Sequence, residues 1–107
     1  MLTRIVYLST LSEHTTARQI DAIVERAALF NREQEITGML ALEDRRICQI
    51  LEGPAHAVDF LYVSIKQDER HFRVTELARH RIFHTSFERW GMVRRPMIDM
   101  VTLAFRE

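Results

Sequence analysis

The chain is poor in the residues that cross-link or interrupt small proteins. Its 107 residues include one cysteine, Cys48, two prolines and three glycines. A lone cysteine excludes an internal disulfide framework and fits the reducing environment of the cytoplasm. Because glycine and proline are scarce, we expect long helices and strands joined by short connections.

An excess of charge of either sign is also absent, because 15 basic side chains balance 15 acidic ones. A net charge of zero gives no global electrostatic reason to predict nucleic acid or an anionic membrane as a partner. No apolar run approaches the ~20 residues needed to span a bilayer, and residues 1–7 lack the apolar stretch of a signal peptide. The hydrophobic content of 47% suffices for the core of one cytoplasmic domain.

The hydrophobic pattern predicts alternating strands and helices. Short β-rich apolar runs predict five strands, at residues 2–9, 36–42, 47–51, 72–82 and 89–93. Apolar positions at helical spacing predict two helices, at 17–31 and from Pro54 in the first turn to about Gln67. Thr15 and Thr16 are candidate N-caps of the first helix.

The order β-α-β-β-α-β-β predicts an α+β, ferredoxin-like sandwich with one mixed sheet and two helices on one face. We assign residues 1–95 to this domain and 96–107 to a short C-terminal tail. The apolar pattern of the tail admits a helix. It also favours packing against the sheet's other face or against a second subunit, so a dimer is expected.

Three polar side chains occupy positions that the pattern reserves for the core. Asn31 continues the inward stripe of the first helix, although an amide there is also typical of a C-cap satisfied by backbone. Gln49 lies mid-strand between apolar neighbours, which disfavours a solvent-facing strand surface. Tyr7 by itself is typical of a core aromatic with its hydroxyl at the rim. If these strands are neighbours, the three groups converge between sheet and helices, as a planar heteroaromatic ligand requires.

The same residues belong to a set of motifs that resembles the BLUF domain, the sensor of blue light using FAD. The resemblance runs without a gap from about Thr3 to Val93. Each motif is weak alone, and their mutual spacing makes the set specific. The motifs are RIVYLS at residues 4–9, Asn31, ITG at 36–38, QILEG at 49–53, DERH at 68–71 and WGM at 90–92.

The resemblance implies a flavin, usually FAD, held non-covalently between the helices and the sheet. It implies that Asn31 binds the pyrimidine edge of the ring and that Gln49 lies between the flavin and the Tyr7 hydroxyl. Two departures weaken the anchoring that it implies: Ser64 stands where several relatives carry a basic residue, and Ala27 replaces a frequent serine. FMN or riboflavin is therefore expected to substitute in vitro. The implied contacts are Tyr7, Ser9, Ile23, Ala27, Asn31, Leu40, Ile47, Gln49, Asp68, Arg70 and His71.

The resemblance also implies a photoswitch rather than an enzyme. It implies that light drives an electron and a proton from Tyr7 to the flavin and back, and that Gln49 ends rotated or tautomerised with altered hydrogen bonds. An amide suits this relay because it both donates and accepts. Trp90 and Met92 match positions thought to exchange contacts when the signal forms. The signal is expected to pass to a partner protein.

Other chemistries have little support in the sequence. His80 and His84 are the nearest histidine pair, but no cysteine or carboxylate stands at ligand spacing, so we predict no metal site. Cys48 is predicted to face away from the flavin, which disfavours a covalent flavin–cysteine photocycle. No nucleophile elbow or ordered triad indicates a hydrolase. The alternative to the photoreceptor is a light-insensitive ferredoxin-like module that binds a metabolite or a protein.

Overall fold

The computed structural model of the protein describes residues 1–85, residue 96 and, as backbone, residues 91–94. Its elements follow the predicted order β-α-β-β-α-β-β. They are β1 (Leu2–Leu11), α1 (Ala17–Glu33), β2 (Thr37–Glu43), β3 (Arg46–Pro54), α2 (Ala55–Gln67), β4 (His71–Ile82) and β5 (Gly91–Arg94). Of the predicted tail at 96–107, all but residue 96 lies outside the described residues, as does Trp90.

The strands form one sheet in the order β4-β1-β3-β2-β5. The first four are antiparallel neighbours, and β5 lies parallel to β2, with Thr37 opposite Gly91 and Leu40 opposite Arg94. The sheet is therefore mixed, as predicted. Side chains of both helices pack in one core cluster against the same face of this sheet, which confirms the ferredoxin-like α+β sandwich.

Helix α1 begins at a capping box. The Thr16 hydroxyl accepts the backbone N–H of Gln19, and the Gln19 side chain accepts the backbone N–H of Thr16. The helix runs to Glu33, two residues beyond the predicted end, so Asn31 is not a C-cap, the alternative that the sequence also allowed. Gln34 holds that position instead, and its N–H reaches the carbonyls of the last turn. Asn31 therefore remains inside the helix with its side chain directed inward.

The junction between β3 and α2 depends on a glycine. A Cβ at Gly53 would lie 3.0 Å from the carbonyl oxygen of Glu35 and 3.1 Å from the Ile36 side chain, so only glycine lets β3 approach the α1–β2 turn this closely. Pro54 was predicted in the first turn of the second helix, but it ends β3 and is the N-cap of α2, which begins at Ala55. This close approach sets the C-terminal end of α1 against the sheet.

The two faces of the sheet carry different residues. Alternate positions of β1 and β3, such as Ile5 and Leu51, face the helices and join their apolar side chains. The opposite face holds a second cluster that includes Val6, Cys48 and Ile50. Cys48 therefore points away from the helices, as predicted.

Candidate functional site

Tyr7 and Gln49 are direct cross-strand partners at the centre of the sheet. The antiparallel register of β1 and β3 places these residues opposite each other on the face that the helices cover. The Tyr7 hydroxyl donates a hydrogen bond to the Gln49 Oε1 atom. The predicted convergence of phenol and amide is therefore present, because cross-strand pairing brings residues 42 positions apart into contact.

Burial controls the state of the phenol. Tyr7 is 2% exposed, and this burial raises the pKa of its hydroxyl well above the ordinary value, with a further contribution from Tyr62. The Tyr62 ring lies beside it with a centroid separation of 5.6 Å. The Tyr7 phenol is thus neutral at physiological pH and acts as the donor in its bond to Gln49. The alternative of a hydroxyl at the rim of the core therefore does not apply.

Asn31 supplies a second amide, on the helix side. Its side chain is fully buried, and among the described residues neither Nδ2 nor Oδ1 has a hydrogen-bond partner. Burying an amide whose two polar atoms have no partners costs roughly 1–3 kcal/mol. Such groups indicate a ligand-binding position, since a bound molecule with a donor and an acceptor would satisfy both.

These groups line a cavity between the two helices and the sheet. Its empty volume is about 610 Å³, counted with the part that opens to solvent. Ten of the eleven residues predicted to contact the ligand line this cavity: Tyr7, Ile23, Ala27, Asn31, Leu40, Ile47, Gln49, Asp68, Arg70 and His71.

The eleventh predicted contact, Ser9, does not line the cavity. It is buried on β1 and its Oγ lies 2.8 Å from the Nδ1 atom of His71, so it reaches the cavity only through that ring. The residues that sequence analysis missed are all apolar: Leu11, Ile20, Val24, Leu61 and Ile65. Helical spacing was the signal that could have found four of them. Ile20 and Val24 share the stripe of α1 that contains the predicted contacts, and Leu61 and Ile65 belong to the apolar stripe that predicts α2.

The mouth of the cavity is polar. Arg70 and Asp68 form an exposed ion pair in which the Arg70 Nε lies 2.9 Å from the Asp68 Oδ1. The hydrogen bond from Arg70 lowers the pKa of the Asp68 carboxyl, so this group is ionised at neutral pH. The carbonyl of Arg70 accepts from the backbone N–H of Ser12 and from the Thr15 hydroxyl. The loop before α1 and the α2–β4 connection are thus joined at the mouth.

Two of the sequence predictions fall at the edge of the described residues or outside them. Met92 lies in β5, where its backbone is paired with that of Gly38 in β2. Trp90 lies outside the described residues, so its role in the switch stays a prediction. Ser64, the position that departs from the motif, is exposed on α2.

The fold and the site together define a class of protein: an α+β domain with an apolar slot for one planar heteroaromatic ligand. The slot is apolar on its helix and sheet walls and carries amides at Asn31 and Gln49. An isoalloxazine ring fits this arrangement, because its pyrimidine edge offers the donor and the acceptors that Asn31 lacks within the described protein. Asn31 and Gln49 would hold its polar edges, and the aliphatic residues would cover its faces.

The family comparison identifies which class of flavin protein this is. Residues 2–93 match the family model of BLUF, described as sensors of blue-light using FAD. The chain belongs to the BLUF family, so it is a blue-light sensor that uses a flavin. The family description names sensing of blue light by means of FAD.

Named relatives and solved structures agree with this family assignment. The blue light- and temperature-regulated antirepressor BluF of Escherichia coli (strain K12) is 34% identical over 77 residues, which are 72% of this chain and 19% of that protein. The solved ground state of BlsA is 31% identical, with a TM-score of 0.83 over 100% of this chain and 74% of that one. Klebsiella pneumoniae BlrP1 with FMN and cyclic diGMP is 33% identical, with a TM-score of 0.84 over 92% of this chain and 25% of that one.

The chain thus spans about a fifth of the length of the Escherichia coli relative. Within the part of the chain that the structure describes, no helix is long and apolar enough to cross a membrane. The same residues contain no group of three or more histidine, cysteine, aspartate or glutamate side chains placed to hold a metal ion.

Proposed function

We propose that Tyr7 and Gln49 form the light-driven switch of this sensor. The hydrogen bond from the buried Tyr7 hydroxyl to the Gln49 carbonyl carries the proposal, because it joins an oxidisable phenol to a group that both accepts and donates protons. A photo-excited flavin supplies a strong oxidant when bound. Tyr7 gives up an electron and its phenolic proton, Gln49 relays the proton, and both return.

The lasting product of this cycle is a changed hydrogen-bond network. Once Tyr7 is again a neutral phenol, its donor bond can re-form to a Gln49 side chain that has rotated or tautomerised. The network is enclosed, since Tyr7 and Gln49 are 2% and 5% exposed, so bulk water does not compete for these bonds. Local hydrogen bonding therefore biases the protein between two states, as a switch requires.

The remaining predicted contacts have separable roles in this proposal. Asn31 holds the pyrimidine edge of the flavin, and Asp68, Arg70 and His71 contact its ribityl side at the mouth. We propose FAD as the natural cofactor, with FMN or riboflavin substituting in vitro. The absence of a basic residue at Ser64 supports this tolerance, because fewer charges hold the phosphate end.

The response beyond the flavin site is also a proposal. We infer that the switch acts on a cytoplasmic partner protein and that residues 1–95 form the sensing domain, with 96–107 as a tail and Trp90 and Met92 in the signal path. The name of the Escherichia coli relative, an antirepressor, supports a protein partner. Exposed apolar side chains on the outer face of α2, Phe60 and Val63, support assembly into a dimer.

The test is an absorption spectrum of the purified protein before and after blue light. We expect a bound-flavin spectrum that shifts slightly to the red under illumination and returns in darkness. Gln49→Leu should keep the flavin and lose the shift, while Gln67→Leu, at an exposed glutamine that ends α2, should behave as the unmodified protein. A normal shift in Gln49→Leu would contradict the switch. A colourless protein would favour the light-insensitive module instead.

A further inference from the structure

His71 connects three elements at the side of the cavity. It is the first residue of β4, and its Nε2 atom lies 2.6 Å from the carbonyl oxygen of Ile65 in the last turn of α2. Its Nδ1 atom lies 2.8 Å from the Oγ of Ser9 in β1. One imidazole ring therefore ties the end of a helix to the central part of the sheet.

The two partners determine where the imidazole carries its proton. A carbonyl oxygen can only accept, so the Nε2 atom of His71 donates to Ile65. In the neutral ring, Nδ1 is then the acceptor and the Ser9 hydroxyl donates to it. The Ile65 carbonyl thus selects the Nε2–H form of His71, and the Ser9 hydroxyl, bonded to Nδ1, fixes the orientation of the ring.

The same ring touches both the switch and the mouth. Its centroid is 6.3 Å from that of Tyr7, with the two planes at 66°, so it packs edge-on against the phenol. The Ile65 carbonyl that it binds also accepts the backbone N–H of Asp68 at 3.2 Å, where α2 ends. Any displacement of His71 therefore affects the Tyr7 ring and the α2–β4 connection together.

We propose that His71, oriented by Ser9, is a positioning residue that fixes the end of α2 against the strand that carries Tyr7. It couples the hydrogen-bond switch to the α2–β4 connection and sets the lifetime of the lit state. This coupling rests on the proposed photoswitch, whereas the tautomer and the two hydrogen bonds do not. Ser9 is buried beside the cavity without lining it, so it acts through His71.

A pair of isosteric substitutions separates the two bonds. In His71→Gln, the side-chain amide nitrogen takes the place of Nε2 and still donates to the Ile65 carbonyl. In His71→Asn, the side chain is shorter, so its amide replaces only Nδ1 and faces Ser9. We expect hydrogen exchange at the Asp68 amide to stay within about twofold of the unmodified protein in His71→Gln. In His71→Asn it should be about 3- to 10-fold faster, the effect of one lost hydrogen bond. His56→Gln and His56→Asn, at an exposed histidine of α2, are the matched controls.

Ser9 provides the second arm. Ser9→Ala should speed hydrogen exchange at the Asp68 amide when His71 is present and have no further effect in the His71→Gln background. Ser9→Thr retains the hydroxyl, so exchange should stay as slow as in the unmodified protein. The ¹⁵N spectrum of the neutral His71 ring should show the proton on Nε2 and none on Nδ1. After blue light, dark recovery should change in His71→Asn and Ser9→Ala and not in the His56 variants.

These readouts keep the two proposals apart. A protonated Nδ1, equal exchange in the Asn and Gln variants, or independent effects of Ser9 and His71 would overturn the positioning role, even if the protein responds to light. Unchanged dark recovery in His71→Asn would also overturn it. Absence of any light response in the unmodified protein, with the expected tautomer and exchange pattern in darkness, would contradict the photoswitch and leave the tie between α2 and β1 in place.

Discussion

Replacing Asn31 with leucine should change stability and flavin binding in opposite directions. The Asn31 side chain is fully buried, and within the described protein its amide nitrogen and oxygen have no hydrogen-bond partners. Leucine has a similar size and no polar group. The surroundings are apolar on the helix side, where Ile20, Val24 and Ala27 belong to the same stripe of α1.

The expected gain follows from the polar atoms that the substitution removes. An unsatisfied buried polar group costs about 1–3 kcal/mol, so the flavin-free Asn31→Leu protein should be more stable by about that amount. For a chain near 100 residues this raises the melting temperature by roughly 4 °C or more. Flavin binding should lose two hydrogen bonds and bury polar ligand atoms against methyl groups. That loss is about 2–4 kcal/mol, or roughly 30- to 1000-fold in Kd.

The assay uses both forms of the protein. Thermal and urea unfolding of the flavin-free protein, followed by circular dichroism, give the change in stability, and quenching of flavin fluorescence on titration gives Kd. Gln67→Leu is the control for adding a leucine at an exposed amide on α2, and neither quantity should move beyond about 0.5 kcal/mol.

Two results would refute the reasoning. If the flavin-free Asn31→Leu protein is less stable than the unmodified one, the Asn31 amide has hydrogen-bond partners in the absence of a ligand. If Kd is unchanged while stability rises, the amide is a buried defect unrelated to the flavin. Only the combination of higher stability and weaker binding supports a ligand-binding asparagine.

Three further predictions concern other buried groups. Because burial raises the pKa of Tyr7, the folded protein keeps a phenolic proton that the unfolded chain loses, so the free energy of unfolding should fall as pH rises above about 10. In urea titrations at pH 8–11 this fall should be smaller in Tyr7→Phe. An equal fall in both proteins would contradict the prediction. Burial also raises the pKa of the Cys48 thiol, so thiol reagents should modify the native protein far more slowly than the unfolded protein. Cys48→Ala should keep the light-induced shift of the flavin spectrum, and loss of that shift would implicate the thiol in the photocycle. Glu52 is fully buried, and its Oε2 atom lies 2.5 Å from the Nε atom of Arg4. Glu52→Gln should therefore lower the free energy of unfolding, measured in urea, by about 3–5 kcal/mol, and the double variant with Arg4→Met should regain part of this loss. A loss below about 1 kcal/mol would show that the ion pair is not needed for stability.

The local pattern of the sequence determined the element order and most of the element boundaries. Helix α2 ends at Gln67 as predicted, and both helices carry an apolar stripe at helical spacing. Such features depend on neighbours within a few positions, which a sequence displays directly. The polar residues Tyr7, Asn31 and Gln49 were also recognisable, because each interrupts an apolar stripe or strand. The motif spacing then gave the family.

Only the tertiary structure decided how those residues meet. The register of β1 and β3 places Tyr7 opposite Gln49, and a shift of one residue would have turned one of them to the other face of the sheet. The extension of α1 to Glu33 kept Asn31 within the helix, where its amide has no backbone to cap. Ser9 shows the same limit: its strand face was readable, but its role depends on His71, 62 positions away. The scarcity of glycine and proline indicated long helices and strands with short connections. The pairing of those strands over long sequence separations then placed the residues of the site together.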